Sequence, residues 1–141
     1  MPWPQETDPP KLPCYCGKTG CIETYLSGDG LMRLYRSLGN TSATPPEIAR
    51  AAAAAEPTAM LAMDAYVDCL ARALATVINV VDPDAIVLGG GLSNIDELYE
   101  KVAPRLSQYV FSDCVTTPVL RAVHGDSSGV RGAAWLAHDG E

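Results

Sequence analysis

The chain has 141 residues, 48% of them hydrophobic, and a formal net charge of −7, values that suit one domain with one core and argue against disorder. The acidic balance reads as solubility, and no stripe of Lys and Arg is present to meet the phosphates of a nucleic acid. No apolar run is long enough for a bilayer and Met1-Pro2-Trp3-Pro4 does not lead into a signal peptide, so the expected location is cytoplasmic, without nucleic-acid or membrane partners.

In chain order, residues 1–13 carry Pro2, Pro4, Pro9, Pro10 and Pro13, which remove the donors of a helix or ladder, so an extended arm is expected. Next comes Cys14-Tyr15-Cys16-Gly17-Lys18-Thr19-Gly20-Cys21-Ile22-Glu23. Its glycines let the backbone fold back sharply, so three thiolates can aim at one point. Soft sulfur at such a point suits zinc, which takes four ligands, so a fourth has to come from elsewhere. Five cysteines are an odd number, and in a reducing compartment a cluster of them points to metal before disulfides. Cys69 and Cys114 stand apart and are expected to be small core residues.

Ile22 to Leu26 reads as a short helical turn broken at Ser27-Gly28. Asp29 can cap a second helix with Leu31, Leu34, Tyr35 and Leu38 on one face, ending at Gly39-Asn40. Thr44, Pro45 and Glu47 match a capping box, and the alanine run 51–55 is expected to continue that helix. The longest helix is predicted from Pro57 to Asp82-Pro83, with Met63, Val67, Leu70, Leu74, Val77 and Val81 as one apolar packing stripe and Asp64, Asp68 and Arg72 on another face. Residues 84–88 read as a strand buried on both faces. After Gly89, Gly90 and Gly91, Asn94 with Glu97 gives a further capping pattern, for a helix that Pro104 is expected to kink or restart. Residues 119–123 offer a second strand candidate, and Ser127 or Ser128 opens a last helix through Leu136. The order is that of an α/β fold.

Glycines after a strand let a ring or phosphates approach the backbone, and the following helix start is electropositive, so Gly89, Gly90 and Gly91 fit a nucleotide contact; a plain tight turn uses them equally well. At Gly125-Asp126-Ser127-Ser128-Gly129 the Asp and Ser read first as caps. Glu23 follows the last cysteine by two residues, so a metal-stiffened loop would fix a carboxylate suited to vicinal sugar hydroxyls; a solvated surface Glu has the same sequence.

The pattern Cys-x-Cys-Gly-x-x-Gly-Cys-x-Glu, from Cys14 to Glu23 and followed by Ser27-Gly28, resembles the signature of the ROK family of bacterial sugar kinases and sugar-responsive repressors. The stretches from Asp82 to Asn94 and from His124 to Trp135 are similar to the closing parts of its fructokinase members. The resemblance implies the C-terminal lobe of an actin-like (ribonuclease H-like) α/β fold, helix-rich and with a truncated sheet. Its implied division is a proline arm at 1–13, a zinc knuckle at 14–28 and a nucleotide-side lobe at 29–141. It further implies a fructokinase-like, ATP- and Mg-dependent kinase acting on a hexose 6-hydroxyl, fructose first. Cys14, Cys16 and Cys21 would hold structural zinc, Glu23 would touch the sugar, and Gly89, Gly90 and Gly91 would flank the adenosine. The family's phosphate motif, proton-accepting aspartate and histidine-bearing Glu-x-Gly-His segment have no counterpart in the sequence, so no catalytic residue is assigned. The chain is therefore expected to be the C-terminal half of such an enzyme and not to transfer phosphate by itself. For the fourth ligand the sequence leaves water, a partner chain, His124 or His138, although family position speaks against His124. Open sheet edges and the family's habit of pairing imply a homodimer. The alternative assignments are the sugar-sensing half of a ROK repressor and a zinc-stabilised interaction domain without ligand.

Overall fold

Helix α4, Pro57–Val81, is the element on which the others are laid. In this computed structural model, which describes residues 1–6, 8–39 and 41–136, it begins and ends where the sequence says it should. Pro57 stands in the first turn, and the Glu56 carboxylate accepts from the Thr58 and Ala59 amides. Asp82 closes the helix in the left-handed region at φ 47°, and Pro83 cannot extend it.

Around α4 lie α1 (Glu23–Leu26), α2 (Gly28–Ser37), α3 (Pro45–Ala53) and α5 (Asp96–Leu106), each packed against it. Ala59, Ala62, Ala71 and Ala75 are buried on α4, and such short side chains let the neighbouring helices approach closely. Leu31, Ile48, Met63, Val67, Leu98, Val102 and Leu106 close the core between them.

Helix α2 is capped by Ser27, whose hydroxyl accepts from the Gly30 amide at 3.1 Å, and not by Asp29. Its expected end at Asn40 lies outside the described residues. Glu47 Oε2 accepts from the Thr44 amide at 2.7 Å, as the capping pattern requires, and also from the Thr44 hydroxyl at 2.7 Å. The alanine run does not all continue α3. Ala55 turns left-handed at φ 62°, its amide bonds to Ala52 O, and the Glu56 amide bonds to Ala51 O. That is a Schellman ending with alanine where glycine is usual, forced because Glu56 must start the next helix.

The sheet has two parallel strands, β1 (Ile86–Leu88) and β2 (Val119–Arg121), with Ile86 opposite Val119 and Leu88 opposite Arg121. Only one face is covered. Ile86, Leu88 and Val119 pack on the core, whereas Val87 is 60% exposed, so the expected burial on both faces is not found. Helix α5 also departs from expectation: it runs through Pro104 without restarting, since buried Val102 and Leu106 hold its last turn down. Its cap is buried Ile95, because Asn94 is already committed to the tight 3₁₀ turn Gly91–Asn94. A second such turn, Gly125–Ser127, precedes α6 (Ser128–Leu136). Cys69 is buried as expected, but Cys114 is exposed in an irregular stretch and is not a core residue.

Candidate metal knuckle and ligand cleft

The cysteine loop is shaped by its own backbone bonds together with those it makes to the end of the proline arm. Pro13 and Thr19 form an antiparallel bridge, the Cys14 amide donates to Lys18 O at 2.7 Å, and the Gly20 amide donates to Leu12 O at 2.9 Å. Gly17 and Gly20 supply the left-handed residues, at φ 84° and 68°. A Cβ on Gly20 would stand 3.1 Å from Lys11 Cγ, so the loop is folded tightly onto the arm before it.

The Sγ atoms of Cys14, Cys16 and Cys21 lie within 4.8 Å of one another, with Cys16 and Cys21 at 3.5 Å. A tetrahedral zinc with Zn–S near 2.3 Å sets its sulfurs about 3.8 Å apart, so these three residues fit that ion with small rotations. No His, Asp, Glu or further Cys among the described residues joins the group, His124 included, and His138 lies outside them. Without metal the thiols divide their protons unequally. The Lys18 amide, then Cys21 and Cys14, hold the Cys16 thiol below its usual range, while hydrogen bonding with Cys16 and Cys14 pushes Cys21 up to about 11.

The loop leads directly into α1, where the Thr24 amide and hydroxyl both donate to Cys21 O. That junction fixes Glu23 at the rim of an open cleft of about 740 Å³. Glu23, Ser27 and Gly28 line it together with Gly89, Gly90 and Gly91. The site residues read from the sequence, the cysteines apart, thus share one space. Of the glycines only Gly90, at φ 81°, is demanded by the backbone; Cβ atoms on Gly89 and Gly91 would meet nothing within 4 Å. The glycine wall is bare on its cleft side, as a close-lying ligand would require.

Two features of the cleft escape sequence reasoning. Ser93 is buried, its hydroxyl donates to Gly90 O at 2.7 Å, and its own carbonyl accepts from the Tyr99 hydroxyl at 2.7 Å. The glycine turn is therefore braced from beneath. The two 3₁₀ turns also lie side by side, with Asn94 Oδ1 3.9 Å from where a Gly125 Cβ would be, so both glycine-rich stretches belong to one corner. A separate apolar cavity of about 260 Å³ beneath Pro9 and Pro10 contains none of the predicted site residues.

Residues 5–140 match the ROK family. This chain belongs to the ROK family. It is 41% identical over 129 residues to an N-acetyl-D-glucosamine kinase of Erwinia tasmaniensis, covering 92% of this chain and 43% of that protein. The chain thus spans less than half the length of the curated relatives it matches. Among solved structures it resembles a ROK family glucokinase from Streptomyces griseus in complex with glucose and AMPPNP, with a TM-score of 0.78, 28% identity, and coverage of 92% of this chain and 48% of that one. A ROK family transcriptional regulator, homologous to the E. coli MLC protein, shares the fold at a TM-score of 0.65 and 22% identity, over 83% of this chain and 33% of that one. The fold is that of the actin-like sugar kinases, helix-rich and, among the described residues, with a small two-stranded sheet. No helix among the described residues is long and apolar enough to cross a membrane.

Proposed function

We propose that this chain forms the nucleotide-side lobe of an ATP- and Mg-dependent hexose kinase, in which the cysteine knuckle, the carboxylate of Glu23 and the glycine wall work as one unit. The observation that carries the reading is one cleft lined by Glu23 and by Gly89, Gly90 and Gly91. Glu23 would accept hydrogen bonds from sugar hydroxyls, and the bare wall would let the adenosine lie against the backbone. Cys14, Cys16 and Cys21 would hold a structural zinc, which stiffens the loop bearing Glu23 and takes no part in the chemistry. Phosphoryl transfer depends on positioning and charge neutralisation around the γ-phosphoryl group, and this lobe supplies walls, without the family's proton-accepting aspartate. The hexose is proposed to be N-acetyl-D-glucosamine, the sugar named for the relative from Erwinia tasmaniensis, ahead of the fructose implied by the sequence resemblance. A homodimer is proposed because, among the described residues, both outer edges of the two-stranded sheet are unpaired.

The test is calorimetric titration of the purified chain with AMPPNP and Mg, then with N-acetyl-D-glucosamine or fructose, with sedimentation velocity on the same sample. Saturable nucleotide binding that falls about tenfold in Gly91→Val supports the reading; a tenfold change is about 1.4 kcal/mol. Binding of sugar but never of nucleotide would overturn it in favour of a sugar-sensing module of the repressor type.

A further inference from the structure

Arg72 is 1% exposed in the middle of α4, and arginine is rarely buried so fully unless its charge is paired. Its partners lie mainly on the proline arm. Nη1 donates to Trp3 O at 3.0 Å, to Asp8 Oδ2 at 3.1 Å and to Pro2 O at 3.4 Å, and Nη2 donates to Asp8 Oδ1. On its own helix Nη2 reaches Cys69 Sγ at 3.4 Å, and Nε lies 3.0 Å from Asp68 Oδ2 as an ion pair without hydrogen-bond alignment. Burial alone would lower the Arg72 pKa; the Asp8 hydrogen bond and the surrounding negative charge more than reverse this, so the guanidinium stays charged.

The same clamp continues outward. The Tyr109 hydroxyl donates to Asp68 Oδ1 at 2.7 Å and accepts from Gln5 Nε2 at 3.0 Å, and the Trp3 ring stacks on Tyr109 with centroids 5.9 Å apart. Trp3 itself sits at φ 44°, an unusual conformation for an aromatic residue, which holds because its carbonyl and its ring are both engaged. The arm is therefore pinned at Trp3, Gln5 and Asp8.

We infer that Arg72 is the positioning residue of the cysteine knuckle, holding the arm in the register that brings Cys14 to Cys16 and Cys21. Between Asp8 and Cys14 stand Pro9, Pro10 and Pro13, whose fixed φ angles carry a position along the chain without much slack. The arm then builds half of the knuckle, since Leu12 O receives the Gly20 amide and Pro13 pairs with Thr19. A hydrophobic residue at position 72 could fill the same space at less desolvation cost. What it could not do is read two carbonyls and a carboxylate at once, which is what a planar fork of donors provides.

The inference rests on the metal reading above, and cobalt(II) is the probe that separates the two. The whole chain is titrated with Co(II) in the wild type, Arg72→Lys, Arg72→Met and Asp8→Asn, following the thiolate-to-cobalt absorption and the visible bands that report tetrahedral geometry, then back-titrated with zinc. Far-UV circular dichroism follows helix content in parallel. Expected is a loss of Co(II) affinity of about tenfold or more in Asp8→Asn and Arg72→Lys, with helix signal retained, as is usual when support behind metal ligands is removed. Lysine keeps the charge without the fork, so it is not expected to rescue. Arg105→Met, which breaks an ion pair with Asp64 elsewhere on α4, is expected to leave affinity unchanged. If Arg72→Met fails to fold, Asp8→Asn decides, because it leaves the Arg72–Asp68 pair intact. Affinity within twofold of wild type and an unchanged spectrum in Asp8→Asn and Arg72→Lys would overturn the positioning role. Absence of any thiolate-to-cobalt band in the wild type would instead overturn the metal reading, and this inference with it.

Discussion

The two ends of α4 live in different surroundings. Toward its start, Ala59, Met63 and Val67 are fully buried beneath neighbouring helices; toward its end, Val77, Val80 and Val81 are 45%, 80% and 65% exposed, although they continue the same apolar character. The exposed end adjoins the strand side of the molecule, where Val87, Leu120 and Val123 also face outward. The helices of the first part are close in sequence and bury one another through short connections. A parallel sheet needs cover on both faces, usually from segments distant in the chain. The contrast shows that an apolar stripe records what a residue is suited to touch, while burial depends on which other elements are present.

That contrast can be broken at either end. Met63→Ala is expected to lower stability by about 2–5 kcal/mol in urea unfolding, whereas Val80→Ala should stay within about 0.5 kcal/mol. Comparable losses at both sites would mean that the exposed end is covered in solution. A smaller effect sharpens the helical side: Ala55→Gly should raise stability by about 0.5–1 kcal/mol, because its left-handed turn suits glycine and strains alanine. A thermal midpoint unchanged or lowered would show that the Schellman ending is not strained. The smallest global effect concerns acid. Burial raises the Asp8 carboxyl but the Arg72 hydrogen bond and the Gln5 amide lower it further, so its folded pKa lies below the ordinary value of 3.8. Its contribution is thus complete above about pH 4 and is lost as pH falls through the lower folded value. Hydrogen exchange should show arm amides opening in that window before those of α4; simultaneous opening would place the arm inside the global unfolding unit.

Much of this was legible in the sequence. The bounds of α4 followed from Pro57 and Asp82-Pro83, and the capping box at Thr44 and Glu47 from residue type and spacing alone. Glu23 and the glycine triplet were singled out separately, and only the fold brings them to one cleft. What could not be read involved competition between neighbours. Ser27 displaced Asp29 as a cap, the 3₁₀ turn took Asn94 from α5, and Glu56 ended the alanine run by starting the next helix. The role of Arg72 was hidden for another reason: it looked like part of a polar helix face because its partners, Trp3 and Asp8, lie more than sixty residues away in the chain.

The stacked Trp3 has a spectroscopic consequence. The chain contains two tryptophans, and they sit in different settings: Trp3 stacked against Tyr109 in the clamp, and Trp135, 74% exposed, on α6. Intrinsic emission is therefore a two-channel signal. Removing either indole by Trp→Phe leaves a reporter whose colour and quencher access describe one region alone, so the arm and the last helix can be watched independently without attaching a dye.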